Sequence, residues 1–261
     1  MNFIKRVEFE IEEFKSLKKP PKKLWYRGKL SLLKRPKISI VGSRRPIQYT
    51  QNMVKKLTNR LSKRGVIIVS GAAMGVDALS HIGAGFDNTI AVMANGLDIR
   101  YPLVNTQIIK SIETQGLVLS QFENGQKASK WSFVVRNELV VALGEILIVA
   151  QADLNSGSMR SVEYALRSKK SIFVLPHRVG DSEGTNLLLK DGLAEAIYSI
   201  DEFVKRYGKE VEDERERDDF FYFCQRRPTF EEAVTKFGDR VYEAELEGLI
   251  EIVNGIVEIK V

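Results

Sequence analysis

A β-branched run, Ile38-Ser39-Ile40-Val41, ends in Gly42-Ser43-Arg44-Arg45-Pro46, and a helical pattern follows. That order of residue types suits a strand-to-helix turn that grips an anion. Amide N–H groups at a helix N-terminus point at a phosphate, and the helix dipole favours its charge. Gly42 lets the backbone come close, the Ser43 hydroxyl adds a donor, and the Arg44 guanidinium can take two phosphate oxygens at once. The phosphate belongs either to a nucleotide cofactor or to a nucleic-acid backbone.

Similar loops recur. Ser70-Gly71-Ala72-Ala73-Met74-Gly75-Val76-Asp77, Asn95-Gly96-Leu97-Asp98 and Asn155-Ser156-Gly157-Ser158 each follow a short apolar run. In an open parallel sheet, ligands bind outside the carboxyl ends of the strands. These segments therefore gather with residues 42–44 on one rim. A dinucleotide fingerprint is missing: residues 42–44 are not Gly-x-Gly-x-x-Gly, no acid closes the second strand to hold a ribose, and there is no Walker lysine. No nucleotide cofactor is expected.

The elements that would position these loops alternate. Strands are predicted at 38–41, 66–70, 89–92, 117–120, 146–150, 171–175 and 196–198. Helices are predicted at 49–63, 76–85, 105–115, 136–143, 159–167, 185–191 and 200–207. Strands alternating with helices, and lacking strict polar alternation, predict an α/β fold with a mostly parallel sheet covered on both faces. Residues 1–36 stand apart as a lysine-rich N-terminal extension, and 37–207 form a Rossmann-like domain. Residues 208–219 read as a charged linker. Three helices and a hairpin follow over 220–261, with Asn254-Gly255 as a type I′ turn signal, which predicts a small winged-helix-like domain.

The net charge of +6 conceals an asymmetry: residues 208–261 carry 8 Lys and Arg against 15 Asp and Glu, a net of −7, leaving +13 on residues 1–207. A basic body suits a polyanionic partner. The helix predicted over 241–251 is too acidic to approach duplex phosphates, so the tail is expected to bind protein, or the basic body, rather than duplex DNA. Cys224 is the only cysteine, and His81 and His177 are the only histidines. No disulfide framework and no metal site are expected. No run has the length of a membrane span and the N-terminus lacks a signal-peptide core, so a cytoplasmic protein is expected.

Taken in order, Val41-Gly42-Ser43-Arg44, the 70–77 segment, Asn95-Gly96-Leu97-Asp98 with Tyr101-Pro102 and Asn105, Phe133 with Arg136-Asn137, Ser156-Gly157-Ser158, and Gly184 with Asn186 resemble the motif series of the DprA, or Smf, family of DNA-processing proteins. The resemblance covers roughly residues 24–200. It implies an extended Rossmann-like fold, a homodimer, and no enzymatic activity. It further implies binding of single-stranded DNA in natural transformation and loading of RecA recombinase onto that strand. Carried over by position, Gly42, Ser43 and Arg44 would hold DNA phosphates and Lys130 would contact the strand. Phe133 would stack beneath a base, unless it is a core residue. Gly71, Asn95, Arg136, Asn137, Ser156, Gly157 and Ser158 complete the rim, with Arg167 and Lys169, beside Lys170, extending a basic groove. The chain departs from the family at Ala72, Gln121, Val134, Gln151 and His177.

An alternative is an enzyme. Nucleoside-monophosphate phosphoribohydrolases share this general fold, with a phosphate loop and a glutamate on the next helix. Ser156-Gly157-Ser158-Met159-Arg160-Ser161-Val162-Glu163 is the nearest approach to that motif.

Overall fold

The computed structural model describes residues 3–209 and 219–260. The chain divides into two compact units, Met1–Glu210 and Val211–Val261. In the first, β1 (Lys5–Arg6), β2 (Trp25–Gly28), β3 (Lys37–Val41), β4 (Ile67–Ser70), β5 (Thr89–Val92), β6 (Leu117–Ser120), β7 (Leu147–Val149), β8 (Ile172–Val174) and β9 (Glu195–Ala196) form one sheet. Their order is β1-β2-β6-β5-β4-β3-β7-β8-β9. From β6 across to β9 all neighbours are parallel. The helices are α1 (Gln48–Lys63), α2 (Val76–Ala84), α3 (Thr106–Gln115), α4 (Lys130–Leu143), α5 (Gly157–Arg167), α6 (Glu183–Lys190) and α7 (Ile200–Lys205). This is the α/β, Rossmann-like fold that the alternation predicts.

The strands carry apolar residues on both faces because both faces are covered. Ile38, Ile40, Ile68 and Ile148 point towards Val54, Leu57 and Leu61 of α1. Val41, Val69, Leu147 and Val149 point the other way, towards Leu139, Leu143 and Val162 of α4 and α5. This two-residue period fixes which side each helix occupies.

Residues 1–36, set apart in the sequence as an extension, are built into the sheet. β2 pairs antiparallel with β6, Trp25 opposite Ser120, and β1 pairs antiparallel with β2. Two and four residues are too short to show a periodic signal.

His81 illustrates the cost of a polar side chain in this core. It is fully buried, and its Nδ1 lies 2.6 Å from Thr89 Oγ1. The Thr89 hydroxyl donates to the Ile68 carbonyl at 2.8 Å, so Nδ1 must carry the proton that Thr89 accepts. Nε2 has no partner. A second proton there would meet no acceptor, and burial lowers the imidazole pKa to about 3. The unfolded chain binds that proton below pH ~6.5 while the folded one does not. The stabilisation is complete above pH ~6.5 and lost as pH falls towards 3, at up to about 1.4 kcal/mol per pH unit. Urea unfolding at pH 7, 6 and 5 should show this slope, and His81→Gln should reduce it by one proton's worth.

The second unit contains α8 (Asp219–Cys224), α9 (Phe230–Phe237), α10 (Arg240–Leu246) and an antiparallel hairpin of β10 (Ile250–Val253) and β11 (Ile256–Ile259). Its core includes Phe220, Phe221, Cys224, Val241, Ile250 and Val257. Asn254 and Gly255 both have positive φ, 52° and 76°, as a type I′ turn requires. α10 is shorter than the 241–251 helix predicted: Gly248, at φ +69°, follows it, and residues from 250 are paired as a strand. Most of the predicted linker, residues 210–218, lies outside the described residues. Among the described residues, no helix is long and apolar enough to cross a membrane.

Candidate nucleic-acid interface

The loops after β3, β4, β5 and β7 converge on the carboxyl edge of the sheet, as parallel topology demands. β3 lies between β4 and β7, the point where strand order reverses. A cleft of about 410 Å³ opens there, lined by residues 42–44 on one side and Ser156, Gly157 and Ser158 on the other. Asn137 and Arg136 from α4 also line it.

Arg44 is exposed, and its guanidinium carbon sits 5.4 Å from the centre of the Phe133 ring. Arg136 approaches the same ring at 5.8 Å, and Tyr101 lies 6.0 Å away, tilted by 48°. Phe133 is half-buried, and Tyr101 is 45% exposed. The ring is therefore neither wholly core nor wholly free. It forms one side of a shallow slot lined also by Met74, Asn95 and Pro102. Arg44 has no ion-pair partner among the described residues, so its charge is available to an external anion.

α4 explains how Phe133 arrives there. It begins at Lys130, six residues before the predicted start. Ser129 and Ser132 form a reciprocal capping box, with Ser132 N donating to Ser129 Oγ at 3.2 Å and Ser129 N to Ser132 Oγ at 2.8 Å. Serine in place of the usual Glu or Gln hides the sequence signal. Lys130, Phe133 and Asn137 then fall at helical spacing on one side of the helix. Trp131 is 63% exposed and meets Phe122 edge-on at 5.9 Å.

The expected grip by helix N-terminal amides of the first loop is not what forms. α1 starts at Gln48, with Ile47 as N-cap. Ser43 N donates to the Gln151 carbonyl at 2.8 Å, Arg45 N to Ser43 Oγ at 3.1 Å, and Ile47 N to Gln151 Oε1 at 3.0 Å. Pro46 holds the preceding residue out of the helical region and so delays the helix. Gly42 serves packing: a Cβ there would lie 2.7 Å from Val76 Cγ2. The cation at this turn is thus Arg44's side chain. Gly75, at φ +77°, supports it from below, since a Cβ there would lie 2.6 Å from the Arg44 carbonyl carbon. Gln151, noted in the sequence only as a departure, holds the whole turn. It also accepts from Thr50 Oγ1 at 2.9 Å.

Arg136 is 4% exposed and turned inward. It donates to the carbonyls of Gly71 and Val92, the latter at 2.8 Å, and through Nε to Asn137 Oδ1 at 3.0 Å. Gly71 is glycine because a Cβ would strike that guanidinium. Asp77 accepts from the Gly71 and Ala73 amides at 3.2 and 3.3 Å. Burial pushes the Asp77 carboxyl above its ordinary pKa, against the pull of Arg136. Burial likewise lowers the pKa of Arg136. Asn95 is 1% exposed and donates to the Gly96 and Ile99 carbonyls at 2.9 and 2.6 Å. Arg136, Gly71 and Asn95, expected as DNA contacts, shape the rim from within.

Arg167 and Lys169 do not join the rim. Ser156 and Gly157 begin α5 at the carboxyl edge, and the helix runs about 15 Å back across the sheet. Its C-terminal cations lie at the opposite edge, Arg167 over the Tyr164 ring at 4.6 Å. Lys170 donates to the Val141, Ala142 and Gly144 carbonyls and so caps α4. Glu163 is 58% exposed on its side chain, pairs with Arg160 at 3.5 Å, and is not part of the cleft lining.

The chain resembles known proteins over this same unit. It is 36% identical over 176 residues to the DNA processing protein DprA of Streptococcus pneumoniae, covering 66% of this chain and 62% of that one. With DprA of Bacillus subtilis it shares 35% identity over 72% of this chain and 65% of the relative. The chain thus spans somewhat under two thirds of the length of these relatives. Among solved structures, DNA processing protein A of Helicobacter pylori, described for its single-stranded DNA binding mode, superposes with a TM-score of 0.77 at 41% identity, covering 78% of this chain and 94% of that one. The X-ray structure of Streptococcus pneumoniae DprA gives 0.72 at 31% identity, covering 79% and 74%. The family model for DNA recombination-mediator protein A matches residues 6–208, nearly the whole first unit, and the chain belongs to that family, DprA or Smf.

Proposed function

We propose that this chain is a single-stranded DNA-binding protein of natural transformation, which protects the incoming strand and loads RecA onto it. The observation that carries the proposal is the exposed Arg44 guanidinium over the half-buried face of Phe133. That pairing offers a phosphate a cation and a base a stacking surface, the two needs of sequence-tolerant single-strand binding. Lys130, exposed at the first residue of α4, adds a second cation. Family membership and the single-strand binding described for the Helicobacter pylori relative support this reading. The protein acts in the cytoplasm as a homodimer, with RecA as partner, and needs neither cofactor nor metal. It is a binding protein rather than an enzyme: the glutamate that a phosphoribohydrolase would need on α5 faces Arg160 instead of the cleft.

Mobility shifts with single- and double-stranded oligonucleotides across a salt series test this. Single strands of any sequence should bind better than duplex. Arg44→Ala should weaken binding to all of them alike and flatten the slope of log affinity against log salt by about 0.7. Unchanged affinity in that variant would remove Arg44 from the interface.

A further inference from the structure

We propose that the cleft between the β3 loop and the start of α5 is a phosphomonoester pocket, which takes the terminal phosphate of a DNA strand or of a free nucleotide. The strand-end form rests on the single-strand reading above; the free-nucleotide form does not. α5 is eleven residues long, and no side chain caps its N-terminus. Its first amides and its dipole therefore face the cleft. Independently, two hydroxyls of the lining have no hydrogen-bond partner. Ser161 is 0% exposed and its Oγ is unpaired, and the Oγ of Ser156 is also buried and unpaired.

A serine inside a helix ordinarily bonds the carbonyl four residues back. Here the Gly157 carbonyl accepts from Asn137 Nδ2 at 3.5 Å, and Ser161 does not use it. Buried hydroxyls without partners are costly, so their presence at the wall of a cleft points to an external acceptor. Of the two carboxylates on the wall, Asp77 already accepts from two amides beside Arg136, and Asp153 is exposed. Arg44 supplies the free cation.

The depth of Ser161 selects the phosphate. A diester within a strand has two non-bridging oxygens and chain leaving on both sides, so it can rest only at the mouth. A monoester has a single ester link and presents three oxygens end-on. It is also close to dianionic at pH 7, since its second pKa is about 6, and so gains more from the helix N-terminus and from Arg44. The volume of about 410 Å³ leaves room for the attached nucleoside.

Fluorescence anisotropy on the full chain, with a short oligothymidylate labelled at its 3′ end, tests the proposal. The 5′-phosphorylated strand should bind about tenfold tighter than the 5′-hydroxyl strand. Ser161→Ala should bring that ratio down towards one. Displacement of the phosphorylated strand by thymidine 5′-monophosphate, but not by thymidine, would extend the pocket to free nucleotides. Equal affinity for the two strands together with no effect of the monophosphate would overturn the pocket while leaving single-strand binding intact. If neither strand binds but calorimetry detects the monophosphate, the pocket stands and the single-strand reading fails.

Discussion

Replacing Arg136 by methionine is expected to lower the unfolding free energy of the first unit by about 3 kcal/mol. Methionine matches much of the aliphatic length of arginine, so the packing between α4 and the sheet is largely kept. What goes is the set of donors. The Gly71 and Val92 carbonyls at the ends of β4 and β5 lose their partner, and Asn137 Oδ1 loses the Nε hydrogen bond. Unpaired buried acceptors cost ~1–3 kcal/mol each. Asp77, already pushed above its ordinary pKa by burial, loses the Arg136 cation that draws it back, so its pKa is expected to rise further. Urea unfolding followed by circular dichroism gives the free energy. Binding of single strands should fall as well, because the 71–75 loop under Arg44 is no longer fixed. A loss of binding with stability intact would instead return Arg136 to the interface.

That contrast shows where sequence stops informing. The parallel sheet is legible because buried strands are short β-branched runs separated by amphipathic helices, and the rim follows from topology. Arg44 and Phe133 are legible as residue types. The inward turn of Arg136 is not, since its carbonyl partners lie 65 and 44 residues away in the chain. The amides of Ser43 and Ile47 look available in the sequence and are consumed by Gln151, 104 residues or more distant. Arg167 and Lys169 misled for a different reason. In a strand–helix–strand unit the helix that starts at the ligand edge must end at the other one, so their position was implicit in the predicted topology. The strands β1 and β2 were hidden because pairing, of β2 with β6 and of β1 with β2, and not their own pattern, makes them strands.

Phe133→Leu is expected to weaken single-strand binding by about 1–2 kcal/mol, or roughly five- to thirtyfold. Leucine preserves apolar packing against Tyr101 and removes the aromatic face. A ring that served only the core would tolerate this exchange with little change in binding, so the variant separates platform from packing. The effect should also depend on Arg44. Its guanidinium is held 5.4 Å over the ring, which fixes the cation where a phosphate passes next to a stacked base. Removing the ring releases Arg44, and part of the loss in Phe133→Leu is then a loss of Arg44's placement. In a double-mutant cycle, Arg44→Ala combined with Phe133→Leu should cost about 0.5–1 kcal/mol less than the sum of the single variants, the size of an exposed cation–π contact. Strict additivity would mean that the two residues meet the strand independently. Coupling of this size makes them one device, in which the ring both carries the base and aims the charge.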